Sequence, residues 1–123
     1  WTSGQLPCID VQLAATGKLG TTPTSITTER GTELARASAL NALAAVGALV
    51  GGVDKITRVL KVVGFVASDP DFTAQPAVIN GASNVLVEIF GDAGIHARSA
   101  VGVAALPLDA PVEVEIVVEV AAD

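Results

Sequence analysis

Arg98 opens the most chemically suggestive stretch of this sequence. It follows a glycine-containing loop, Gly91-Asp92-Ala93-Gly94-Ile95-His96-Ala97, and begins an apolar segment in which the alternate residues Ala100 and Gly102 are small. A guanidinium beside small residues at a sheet end has room for a planar carboxylate held by two parallel hydrogen bonds. The same spacing suits an edge arginine paired with a surface glutamate, a common arrangement on proteins. A second candidate is the Glu113/Glu115/Glu119 ladder. One carboxylate of that ladder, placed beside a ligand, moves protons or orients water. Strand alternation alone also accounts for it as a solvated face. His96 is a candidate acid–base group or simply a loop residue. Cys8 reads as an inert small side chain, because no cation lies close in sequence to favour its thiolate.

The composition narrows what these residues can do. The 123 residues carry 7 basic and 13 acidic side chains, a net charge of −6, and half are hydrophobic. That length and apolar content suit one packed domain. An acidic chain with scattered cations lacks the basic stripe of a nucleic-acid groove, so no nucleic-acid partner is expected. One Cys and one His cannot build a zinc site of the usual kind, and a single Cys forms no intrachain disulfide. No metal is expected. The longest unbroken apolar run, Ala42–Val53, spans twelve residues, short of the roughly 18 to 20 of a membrane helix. With no signal-like start, the expectation is a cytoplasmic protein without a membrane partner. Gly47-x-x-x-Gly51 is read as helix packing on a sheet and a helix end, and Gly17–Gly20 is too short for a phosphate loop.

The elements that must position Arg98 and the glutamates follow from periodicity. Trp1–Leu6 reads as the end of a strand, closed by Pro7. Residues 8–24 read as a loop, with a short strand around Gly17–Leu19. Thr27 or Thr28 caps a helix whose buried stripe is Ala35, Ala39, Ala42, Val46 and Leu49, widened by Leu43 and Val50. Gly51-Gly52 ends it. Ile56–Ala67 reads as a central strand and Ser68–Asp71 as a turn. A second helix starts near Pro76, buries Ile79, Ala82, Leu86 and Ile89, and stops at Gly91. Arg98–Ala105 and Val112–Val120 are strands. In the last, Val112, Val114, Ile116, Val118 and Val120 oppose the glutamates. Two right-handed crossovers place both helices on one face of the sheet, giving a two-layer α+β domain. No helix remains for the other face, which an oligomer packed through its sheets would cover.

These segments, in this order, resemble the RidA/YjgF family. The resemblance rests on Ser3-Gly4-Gln5-Leu6-Pro7, the Gly17–Gly20 stretch, the block Ala97-Arg98-Ser99-Ala100-Val101-Gly102-Val103-Ala104-Ala105-Leu106-Pro107, and Pro111-Val112-Glu113-Val114-Glu115. The region around Asp71–Gly81, with the FGDAGIHAR stretch, is similar to a divergent branch and reads as an insert. The resemblance implies a single chorismate-mutase-like domain over residues 1–123, a mixed sheet with two helices on one face. The family's N-terminal strand, with an aromatic residue that is often Tyr, is expected to be missing from it. It implies a homotrimer with ligand clefts between subunits and no cofactor. It also implies hydrolysis of enamines and imines of the 2-aminoacrylate and 2-iminobutanoate type, released by pyridoxal-phosphate enzymes, to 2-oxo acids and ammonia. By residue, Arg98 matches the arginine that grips the substrate carboxylate, and Glu113 the carboxylate that holds water or shuttles a proton. Gly4 matches a cleft-lining backbone position and Asn80 an asparagine at the start of the second helix. Ala100, also expected to bind substrate, stands where the family often has Cys, whose contacts are partly backbone. Two other readings stand beside deamination: a non-catalytic trimer that binds small carboxylates, and a ribonuclease, which the acidic charge disfavours.

Overall fold

The structure, a computed structural model, describes residues 1–10 and 12–122. Two short strands, β1 (Cys8–Ile9) and β2 (Gln12–Leu13), pair as a small antiparallel ribbon inside the segment expected to be loop. Helix α1 (Thr28–Val50) leads to β3 (Ile56–Ala67), α2 (Gln75–Phe90), β4 (Ala97–Val103) and β5 (Val112–Val120). The main sheet has the order β4-β3-β5, with β4 parallel and β5 antiparallel to β3. The first residues extend it. The Thr2 amide donates to the Ile116 carbonyl (2.9 Å), and Gln5 and Val114 exchange backbone hydrogen bonds of 2.8 and 2.9 Å. The expected strand ending at Pro7 is thus present as an edge segment along β5. The strand expected around Gly17–Leu19 is reduced to isolated bridges from Leu19 to Ile26 and Ser68.

The helix boundaries follow local chemistry. Thr27 caps α1, its hydroxyl accepting from the Arg30 amide at 3.2 Å. Gly51 ends it with φ 93°, a left-handed conformation that a side chain disfavours. Both Gly51 and Gly52 amides donate to the Gly47 carbonyl, so the Gly47/Gly51 pair belongs to the helix end. Pro76 sits in the first turn of α2, where a missing N–H costs nothing, and Gly91 caps its end. Asp71–Gly81, read as an insert, is the connection to α2 and its first turns rather than an added loop.

Both helices pack on one side of the mixed sheet around a single core. Val59, Val62, Val66, Val112, Val114 and Ile116 from the strands meet Leu34, Ala35, Ala39, Ala42 and Leu43 of α1, and Val78, Ile79, Ala82, Val85 and Leu86 of α2. Small residues set the spacing. A Cβ on Gly81 would strike the Thr32 carbonyl, so the backbones of α1 and α2 are nearly in contact there. Two stripe assignments need correction. Leu49 is 86% exposed and Ile89 46% exposed, because in the last turn of each helix it is the neighbouring Val50 and Phe90 that turn to the core, while Leu34 and Ser38 take buried places. Among the described residues, α1 is the one helix long and apolar enough to cross a membrane. Ala35, Ala39, Ala42, Leu43 and Val46 on one side of it are buried in this core, whereas Leu40 and Leu49 are exposed, and Glu29, Arg30, Glu33 and Arg36 occupy its outer side.

Ser38 is fully buried and its hydroxyl finds no partner among the described residues. An unpaired buried hydroxyl is unfavourable, and Ala is the better helix former. Ser38→Ala is expected to stabilise the fold by about 1 kcal/mol, read as a higher urea midpoint at unchanged slope.

Candidate functional site

Register decides where the candidate residues go. In the parallel pair β3/β4, Val62 stands beside Arg98, Gly64 beside Ala100 and Val66 beside Gly102. Val62, Gly64 and Val66 are all buried beneath the helices, so Arg98, Ala100 and Gly102 face the helix side. Because β4 is an edge strand, Arg98 reaches past the core and remains exposed. Its guanidinium folds against α2. Nη1–H donates to Asn80 Oδ1 at 2.7 Å and to Ser83 Oγ at 3.3 Å. Asn80 and Ser83 are one helical turn apart and therefore present one face of α2 to β4. The alternative of a surface ion pair at Arg98 is not realised: among the described residues the salt bridges are Arg30–Glu33 and Arg36–Glu88.

His96 joins the same group. Its Nε2 lies 2.8 Å from Ser83 Oγ, and its Nδ1 meets the Gly94 carbonyl. A carbonyl only accepts, so Nδ1 carries a hydrogen, and in the neutral ring Nε2 then accepts from the serine hydroxyl. Gly94 belongs to a turn of 3-10 helix, Gly91–Gly94, which directly follows α2. Ala100, two residues beyond Arg98, packs its methyl group against the core rather than lining open space.

Glu113 lies elsewhere. It pairs with Phe65, and Glu115 with Val63, on the sheet face that carries no helix. Glu113 is half-buried against the first segment of the chain. A Cβ on Gly4 would overlap its carboxylate, so only glycine leaves the Glu113 side chain its present place. Glu119, the outermost of the ladder, is engaged by the Thr57 hydroxyl at 2.6 Å. Arg98 and Glu113 thus sit on opposite faces, two strands apart and three residues along, or about 10 Å in each direction within the sheet. The single chain brings Arg98 together with Asn80, and Glu113 together with Gly4, but keeps the two pairs apart. Cavities lie both beside Gly4 and away from either pair. One of about 450 Å³ is lined by Gly4, Gln5, Leu6, Cys8, Asp10 and Asn41. Another of about 460 Å³ is lined by Lys18, Thr22, Ser25, Asp69 and neighbours. Among the described residues no cluster of His, Cys, Asp and Glu is arranged to hold a metal ion.

With this arrangement established, the chain compares closely with known proteins. A family model described as "YjgF/chorismate mutase-like, putative endoribonuclease" matches residues 1–120. The chain belongs to the YjgF family. Protein TCP17 of Trypanosoma cruzi is 48% identical over 118 residues, which make up 95% of this chain and 72% of that protein. The crystal structure of Atu1372 from Agrobacterium tumefaciens, a protein of unknown function, superposes with a TM-score of 0.89. It shares 44% identity and covers 97% of this chain and 74% of its own. A protein from Shewanella oneidensis described as a putative endoribonuclease gives 0.90 at 30% identity, covering 97% and 77%. The YjgF fold, two helices on one face of a mixed sheet, is therefore the fold of this chain.

Sequence reasoning about this YjgF-family chain missed Ser83 and did not connect His96 to Arg98. The available signal was the i, i+3 spacing of Asn80 and Ser83 on a helix that leads straight into the His96–Arg98 segment. The hydrogen-bond geometry predicts a single neutral tautomer for His96. In ¹⁵N-resolved spectra of the uncharged ring, Nδ1 is expected to show the protonated-nitrogen shift and Nε2 the unprotonated one.

Proposed function

We propose that this protein hydrolyses reactive enamines and imines of small 2-amino acids, such as 2-aminoacrylate and 2-iminobutanoate, to 2-oxo acids and ammonia. The observation that carries the reading is Arg98. Its guanidinium is exposed and anchored through Nη1 alone, while Nη2 and Nε have no partner among the described residues. A fork held on one side and free on the other suits a planar carboxylate. Family membership supports the same assignment.

The proposed chemistry needs little more than placement and one proton-transfer group. Arg98 holds the carboxylate and thereby fixes the adjacent C=N carbon. Protonation of the nitrogen makes that carbon electrophilic. Water adds to it, losing a proton to Glu113. Glu113 returns its proton to the carbinolamine nitrogen, the C–N bond breaks and ammonia leaves, and the oxygen lone pair closes the carbonyl as the hydroxyl proton passes to water. No cofactor takes part in this scheme.

Arg98 and Glu113 act on one substrate only when they come from different copies of the chain. The assembly we propose is a homotrimer packed through the helix-free sheet faces, with each cleft between two subunits. The exposure of Val101 and half-exposure of Phe65 on that face suit such packing. Gly4 would line the cleft beside Glu113. A second reading, carboxylate binding without turnover, is favoured by one observation: the Arg98 half is complete within a single protomer. Ribonuclease activity, suggested by the naming of relatives, is disfavoured by the net charge of −6.

The assay that tests deamination follows 2-oxo acid formation from freshly generated 2-iminobutanoate. Folded wild-type protein should accelerate it over buffer. Arg98→Ala should lower kcat/KM by about 100-fold, the worth of a bidentate charge-assisted contact. Glu113→Gln should lower kcat by about 100-fold or more while carboxylate binding persists. Wild-type protein that binds pyruvate but gives no acceleration would leave the binding reading in its place.

A further inference from the structure

The hydrogen bonds behind Arg98 continue past every residue that the proposed reaction uses. Ser83 has one hydroxyl hydrogen, and His96 Nε2 takes it at 2.8 Å. The Gly94 carbonyl enforces this by fixing the hydrogen of the ring on Nδ1. The serine oxygen is therefore left as an acceptor, and Arg98 Nη1 donates to it at 3.3 Å. Asn80 Oδ1 accepts the other Nη1 hydrogen at 2.7 Å. Both hydrogens of one nitrogen are thus engaged by one face of α2.

We propose that Ser83 and His96 are positioning residues for Arg98. The inference rests on the reading of Arg98 as the carboxylate anchor. An arginine on an edge strand has many rotamers, and ordering it on substrate arrival is unfavourable. The chain Gly94–His96–Ser83 orders it beforehand. His96 directs the serine hydrogen away from the guanidinium, so that two hydrogens do not face each other. Nη1 is occupied, and the edge formed by Nη2 and Nε is turned outward to the incoming carboxylate. Ser83 and His96 themselves do not touch the substrate in this arrangement.

The test uses pyruvate, a stable small carboxylate, titrated calorimetrically into the folded full chain. Ser83→Ala removes one oxygen from a half-buried helix position and should weaken pyruvate binding about tenfold. His96→Phe keeps the ring volume but not the acceptor, and should have a similar effect. Ser83→Thr retains the hydroxyl and should restore most of the affinity. In turnover, the change should fall on KM more than on kcat. In an Arg98→Lys background, Ser83→Ala should cost little further, because its effect passes through the guanidinium.

Wild-type affinity in Ser83→Ala would overturn the inference. So would an equal loss from Ser83→Ala whether or not Arg98→Lys is also present. Either result leaves Arg98 as anchor if Arg98→Ala still abolishes binding. Pyruvate binding that survives Arg98→Ala, or no binding by wild type, would overturn the anchor reading and this inference together.

Discussion

Side chains alternate across a sheet, and here only one face of the sheet is covered by helices. That constraint governs where every polar group of the protein ends up. Val62, Gly64 and Val66 must point beneath the helices because the core needs them, and Arg98 follows through its register with Val62. Val112, Val114 and Ile116 point the same way, which sends Glu113 and Glu115 to the bare side. Neither the cation nor the carboxylate has freedom to choose its face.

Close helix packing turns this constraint into geometry at the atomic level. The near-contact of Gly81 with the Thr32 carbonyl draws α2 tightly against α1. On the same helix, Asn80 and Ser83 are thereby held over the edge of β4, where Arg98 emerges. The 3-10 turn that ends α2 supplies the Gly94 carbonyl, so helix, turn and strand each contribute one part of a single hydrogen-bonded group. At the other site, the first chain segment hydrogen-bonds along β5, and Gly4 there gives Glu113 its space.

Much of the fold was legible because periodicity and punctuation agree in this sequence. Thr27, Gly51, Pro76 and Gly91 mark the helix ends as capping chemistry requires. The Val/Glu alternation of β5 marks a strand with one covered face, and the doubly apolar β3 marks the centre of the sheet. Leu49 and Ile89 were misassigned because each has an apolar neighbour, Val50 or Phe90, and periodicity alone does not decide which of the two turns to the core. The ribbon of β1 and β2 escaped notice because strands of two residues carry no period. For the site, Arg98 and Glu113 were candidates from spacing and alternation, and the resemblance gave them roles and added Gly4 and Asn80. Their division into two groups was not legible, since it depends on strand register. Ser83 was missed because its spacing from Asn80 gains meaning only through two distances to residues 13 and 15 positions away.

In the assembly proposed above, the opposite placement of Arg98 and Glu113 has a consequence for inheritance. A polypeptide whose two key groups serve different sites carries two separable genetic functions. Wherever one copy's arginine meets another copy's glutamate, a defect in either group leaves the chain able to supply the other. Two such defective alleles, expressed together, rebuild intact sites at some junctions. A chain damaged in both groups contributes to none, and incorporating it disables the junctions on either side of it.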